Sequence, residues 1–401
     1  MLSGPLIFTG IFIFLSMSLS KKYTAILLYF LVLFFLAPVT TILAQTQKIS
    51  FEEVRNPNGN SLGKINAMVQ DKQGFMWFSD QSNGAIVRYD GSNMEFFNHD
   101  PNNTNSLGGP YPESMWVAES GIIWIGFYGQ GLDRFDPVTN TFTHFRHDPD
   151  DHESLAHDYV WAVVEDHLGN IWVGTQDGLD LLDMEKRTFK HYRYSKDDPN
   201  SLSHNVVRSL YEDRSGTLWV GTGFAFDTTS KAGGLNKFNR ESETFTRHLH
   251  DPEDPYSLID NKVRAILEDS HGNFWVGTNG DGLHSMDRET GKFTRHTYDP
   301  RNPGKLSRSP VTQDPNPHIT FLLEDSAGHI WIGTNDNGIS RFDPVRGTIV
   351  NFDDSAGPSN LIETNDGWSI YRESNSGWCA YATGDGLVWL STQRDPIKVF
   401  K

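Results

Sequence analysis

One short segment recurs along almost the whole of this 401-residue chain, and such a repeat restricts the fold more than composition can. It reads FMWFSD, IIWIGF, NIWVGT, TLWVGT, NFWVGT, HIWIGT and LVWLST, centred on Trp77, Trp124, Trp172, Trp219, Trp275, Trp331 and Trp389. Successive tryptophans are 47, 48, 47, 56, 56 and 58 residues apart. That period belongs to propeller blades rather than to helical repeats or leucine-rich horseshoes. Each unit has the same internal order, clearest from Ser257: SLIDNKVRAILED, a Ser-His-Gly-Asn turn, FWVGT, a Gly-containing turn, GLHSMD, a turn, then KFTRHTY. Four runs rich in Val, Ile, Phe, Trp and Tyr, separated by Gly, Asn and Asp, predict four antiparallel strands per unit.

The expectation is therefore an all-β, seven-bladed β-propeller of four-stranded antiparallel blades over residues 45–401. An open ring would leave an exposed sheet edge, so closure matters. The segment KISFEEV resembles an outer strand, whereas LVWLSTQRDPIKVFK supplies a second and third strand, so the N-terminal strand is expected to complete the last blade. Gly169, Gly216, Gly272 and Gly328 precede their tryptophans by three residues, as tight hairpins needing positive φ would require.

Residues 1–44 differ in kind. Two apolar runs, Pro5 to Leu19 and Tyr23 to Leu43, flank Lys21 and Lys22, and Met17 is an alternative start. The second run reads as a signal peptide with Ala44 before the cleavage point, or else as an uncleaved membrane anchor; both readings export the remainder to the periplasm or beyond. The formal net charge of −17 argues against nucleic acid, whose phosphates such a surface repels. A single cysteine, Cys379, excludes an internal disulfide, and nothing in the sequence asks for a cofactor.

Seven internal copies separate scaffold from site: positions identical in every unit are explained by the fold, and divergent ones are free for function. The Glu-Asp pairs Glu165–Asp166, Glu212–Asp213, Glu268–Asp269 and Glu324–Asp325 look catalytic singly, but repetition makes them turn residues. The His-Asp-Pro histidines His99, His147 and His250 belong to separate units, at least one blade apart, which works against a shared metal. Five residues before each Asp of the turn, or its equivalent, stand Asn66, Glu113, Trp161, Arg208, Arg264, Thr320 and Ser369. This mixed row is expected to ring the channel mouth, although either arginine has pairing with a neighbouring acid as its alternative role. Facing loops add Tyr111, Tyr128, Asp158, Tyr159, Asn205, Asn261, Asn279, Asp281, His318 and Asn335. Aromatic faces beside amides and carboxylates suit an oligosaccharide or another small polar ligand. An insert, GFAFDTTSKAGG from Gly223, enlarges the same face in the fourth unit.

The strings SLSHNVVRSLYEDRSGTLWVGT, SLIDNKVRAILEDSHGNFWVGT and IWIGTNDNGISRFDP resemble the two-component regulator propeller repeats of bacterial periplasmic sensors. The resemblance spans residues 48–401 and implies a non-enzymatic sensing module for glycans or their fragments. It departs from the family in having no second propeller, kinase or receiver domain in this sequence. A downstream histidine kinase module in a longer product, and a dimer, are the partners the resemblance admits. Two alternatives stand beside it. One is a metal-dependent lyase resembling the streptogramin B lyases, with His318 and Glu113 as candidates; the other is a protein-interaction scaffold.

Overall fold

The structure, a computed structural model, describes residues 50–54, 58, 62, 65–224, 227, 230–280, 282–296, 319–325, 327–334, 339–352, 369–372, 379–383 and 386–391. All lie within one compact unit, Ile49–Lys401. The expected signal peptide or anchor, and with it Met17, lies outside the described residues. Among the described residues no helix is long and apolar enough to cross a membrane.

Six sheets are continuous meanders of four consecutive strands, spanning residues 65–98, 112–145, 160–192, 207–248, 263–296 and 319–352. These are the first to sixth blades. The four remaining strands come from both ends of the described chain and pair in the order Ser50–Val54, Gly386–Ser391, Cys379–Thr383, Ser369–Arg372. Ser50 stands opposite Ser391 in that sheet, and Ser369–Arg372 lies beside the inner strands of the first and sixth blades. The expectation of seven equivalent blades is accordingly corrected. Six blades are contiguous and have described cores, whereas the composite sheet is described by its strand pairing alone, and no packed blade is counted there.

The hydrophobic core sits between blades, not within them. Trp77 packs on Phe135 of the second blade, Trp172 on Phe238 of the fourth, Trp219 on Phe274 of the fifth and Trp275 on Phe342 of the sixth, with centroids 4.7–5.7 Å apart. The second strand of every blade is buried at all its described positions, as a strand covered on both faces must be. In the second to sixth blades that strand has a glycine, where the first has Ser79, and the glycine is a packing requirement. A Cβ on Gly174 would lie 2.7 Å from Val207 Cγ1, and one on Gly277 2.6 Å from Ile319 Cγ2, each on the next blade's inner strand. The hairpin glycines 169, 216, 272 and 328 have φ of 80–86°, the left-handed conformation the sequence called for.

The recurring Glu-Asp pair has two separate tasks. Asp71, Asp166, Asp213, Asp269 and Asp325 each accept the indole N–H of the tryptophan six residues on, at 2.7–2.9 Å. The glutamates reach backward, Glu212, Glu268 and Glu324 accepting backbone N–H bonds from His167, Arg214 and Ser270 of the preceding blade at 2.7–2.8 Å. The repeated loop histidines are equally architectural. His99, His147 and His250 donate Nδ1–H to the carbonyls of Leu107, Leu155 and Leu258, eight residues along the same loop.

A further buried position escaped the sequence reading. Asp133, Asp180, Asn236 and His284, all 0% exposed on third strands, accept the backbone N–H of Gly108, Ala156, Ser203 and Ile259 and so tether each inter-blade connection. Three different residue types perform one task there, so no single recurring letter marked it.

Candidate functional site

In each blade the inner strand carries a β-bulge. Pairing with the second strand skips between Pro112 and Ser114, Val160 and Ala162, Val207 and Ser209, Val263 and Ala265, and Ile319 and Phe321. The skipped residues are Glu113, Trp161, Arg208, Arg264 and Thr320, the divergent row itself. In the first blade the skip runs from Ile65 to Met68 and contains Asn66; Ser79 Oγ accepts the freed N–H groups of Asn66 and Ala67. A bulge leaves one residue without a cross-strand partner and re-aims its side chain. Repeated around the ring, it turns six residues toward one space.

That space is a cavity of about 330 Å³ lined by all six of these residues, with Ser114, Trp116 and Ser209 among the other polar groups. Its size falls at the small end of ligand pockets, roughly 300–1,000 Å³. Asn66 Nδ2 donates to Glu113 Oε2 at 2.5 Å and Gln81 Nε2 donates to the same oxygen at 2.9 Å. The Arg208 guanidinium lies 3.9 Å from the centre of the Trp161 ring, a cation–π contact, while Trp161 Nε1 donates to Gln176. Arg208 is only 9% exposed, and its Nε and Nη1 have no hydrogen-bond partner. Asn66 Oδ1, Ser114 Oγ, Trp116 Nε1 and Thr320 Oγ1 are likewise buried without one. Burial holds the Arg208 guanidinium below its ordinary pKa, with Glu113 pulling the other way. Arg264 is pushed down to about 9 by burial and by the like charge of Arg208. The cavity thus concentrates unsatisfied donors and two cations against one carboxylate.

An aromatic rim adjoins it. Tyr128, 46% exposed, stacks on Tyr159 at 4.4 Å and meets Trp161 edge-on at 5.6 Å. The fourth-blade insert brings Phe224 to 6.2 Å from Trp161.

Other sequence candidates go elsewhere. Asp158, Asn205 and Asn261 accept the backbone N–H of His147, Tyr194 and His250, bracing the loops above the cavity rather than lining it. Asn279 is buried, and its N–H donates to the Lys262 carbonyl. Asp281, His318 and Asn335 lie outside the described residues, as does the side chain of Ser369. Trp116 and Ser114 were missed. The repeat comparison could have found Trp116, which stands where the other described blades have Val69, Val164, Tyr211, Leu267 and Leu323. Among the described residues no cluster of three His, Cys, Asp or Glu is placed to hold a metal.

The fold and cavity define the class, a β-propeller whose inner-strand bulges build a polar pocket. Residues 154–177, 201–224, 257–280 and 313–336 match the two-component regulator propeller family, and the chain is a propeller carrying those repeats. Its fold is similar to BT3049 of B. thetaiotaomicron, described as the extracellular domain of a hybrid two-component system, with TM-score 0.67 and 22% identity over 86% of this chain and 42% of that one. It is also similar to the extracellular domain of BT4673 from the same organism, with TM-score 0.62 and 17% identity over 85% of this chain and 39% of that one. The chain therefore spans less than half the length of either structure. A virginiamycin B lyase of Staphylococcus aureus shares the fold at TM-score 0.60 and 12% identity, over 86% of this chain and 99% of that one. No curated protein matches the chain in sequence.

Proposed function

We propose that this propeller is an exported, non-enzymatic ligand-binding module of a signalling system and that it takes a small polar ligand, a glycan or glycan fragment, at the channel cavity. The observation carrying the reading is the convergence of six chemically different bulge residues on one cavity with unsatisfied buried donors and acceptors. A fold held together by repeated residues has no use of its own for such groups, since each unpaired buried polar atom costs about 1–3 kcal/mol. Exposed Tyr128 and Tyr111 add apolar faces on which sugar C–H surfaces stack. The likeness to extracellular domains of hybrid two-component systems, and the apolar runs before residue 45, support export and a sensory role.

For the lyase alternative, the carboxylate of Glu113 is already held by Asn66 and Gln81, and His318 lies outside the described residues. Isothermal titration of the chain against uronic-acid, neutral and host-type oligosaccharides tests the proposal. Saturable heats in one set are expected; none in any set overturns the glycan reading.

A further inference from the structure

We infer that the channel cavity selects a ligand bearing one anionic group, a carboxylate or sulfate ester, which pairs with Arg208 while the attached ring lies against Tyr128. This rests on the cavity being the ligand site, and it adds the charge and orientation of what binds there.

The first ground is an inversion of charge. The chain carries a formal net charge of −17, yet the charged residues lining the cavity are Arg208, Arg264 and Glu113. Among the described lining residues guanidiniums outnumber carboxylates, and Arg208 is the one with unpaired nitrogens. A cation removed from water is costly unless it is paired, and an arginine keeps its proton rather than shed the charge. The second ground is geometric. Arg208 is nine-tenths buried and lines the cavity, and two of its nitrogens have no acceptor. The Trp161 face lies against the guanidinium, and a ring face offers no acceptor of the strength of an oxyanion. An oxyanion supplies the missing acceptors, as charge-assisted bonds that are about twice as strong as neutral ones. Glu113 limits the charge to one, because a second anionic group would meet its carboxylate.

Orientation follows from Trp161. One residue links the two halves of the site: its ring carries Arg208 and meets Tyr128 and Tyr159 edge-on. An acid held on Arg208 places the rest of the ligand beside the exposed Tyr128 face.

The experiment compares three probes by isothermal titration of the full chain: a glucuronate-terminated disaccharide, its methyl ester, and inorganic sulfate alone. The acid is expected to bind at least tenfold more tightly than the ester. Arg208→Gln is expected to abolish that preference, whereas Tyr128→Ala is expected to weaken acid and ester by the same few-fold factor. Equal binding of acid and ester overturns the inference and leaves the glycan reading standing. Sulfate binding as tightly as the acid also overturns it, since the cavity would then hold an inorganic ion only. Binding of neither sugar overturns both. The acid-to-ester comparison uses the unaltered chain, so it decides the question even if Arg208→Gln does not fold.

Discussion

The turns that carry the Glu-Asp pairs and the bulges that line the channel lie at opposite ends of the same inner strands, and they treat polar groups in opposite ways. At the turns the buried groups are matched: Asp213 Oδ2 accepts from both Trp219 Nε1 and Arg288, and Oδ1 accepts from the backbone of Ser215 and Thr217. These bonds outweigh the upward pull of burial and hold the Asp213 carboxyl below the usual carboxylate range. At the bulges, Arg208, Thr320 and Asn66 keep buried atoms unmatched. At these two ends of the inner strands, repetition goes with satisfied groups and divergence with unmatched ones. The physical reason is that a group needed for folding must find its partner inside the chain, whereas one kept for a ligand must not.

The hardest test of this contrast is Asp213→Ala. It orphans Trp219 Nε1 and strips Arg288 of one of its two carboxylates, so chemical denaturation should show a loss of about 3–5 kcal/mol. A loss below about 1 kcal/mol would remove the turns from the scaffold.

Acid should reach the loop tethers next. His284 donates Nδ1–H to the Val276 carbonyl and accepts the Ile259 N–H at Nε2, so a second ring proton has no place. Burial, above all, pushes its pKa down to about 4 from 6.5. A depressed histidine contributes stability that is fully present above its unfolded pKa and is lost as pH falls through the window from 6.5 to 4. About 3 kcal/mol is at stake across that window. His284→Asn copies Asn236 of the preceding blade and should flatten this part of the pH–stability curve; parallel melts from pH 7 to pH 4 measure the difference.

One turn breaks the rule and can be repaired. The second blade has Ala118 where the other five have Asp, with the same backbone turn bonds, and Trp124 Nε1 is buried without a partner. Ala118→Asp should supply it and raise stability by about 1 kcal/mol, read as an increased denaturation midpoint. At the channel the expected change in stability is the smallest. Arg208→Met removes a buried, unmatched charge and should leave stability within about 1 kcal/mol of the parent or above it. Substantial unfolding of that variant would make Arg208 a scaffold residue and dissolve the contrast.

Much of this molecule was legible in its letters because a repeat is a measurement made several times. The tryptophan period located the second strand of all six contiguous blades, but Trp389, expected on a second strand, lies on Gly386–Ser391, the third strand of the composite sheet; the glycines located the hairpins. Comparing units marked Asn66, Glu113, Trp161, Arg208, Arg264 and Thr320 as a divergent row, and the structure gathers all six. The loop candidates fared differently, since Asp158, Asn205 and Asn261 look like site residues singly and turn out to brace loops. The letters could not show which, because an amide that caps a backbone N–H and one that awaits a ligand are the same residue.

What the sequence determined by itself was the repeating blade, its strand order and the division between repeated and free positions, all of which follow from local periodicity and turn chemistry. Tertiary structure alone decided the rest. The bulges exist only in the pairing of an inner strand with the second strand of its blade, a relation between segments and not a property of either one. The tethers at Asp133, Asp180, Asn236 and His284 are defined by a loop crossing overhead, not by a residue type. Whether a buried arginine is matched depends on atoms far away in the chain, and no local pattern carries that distance.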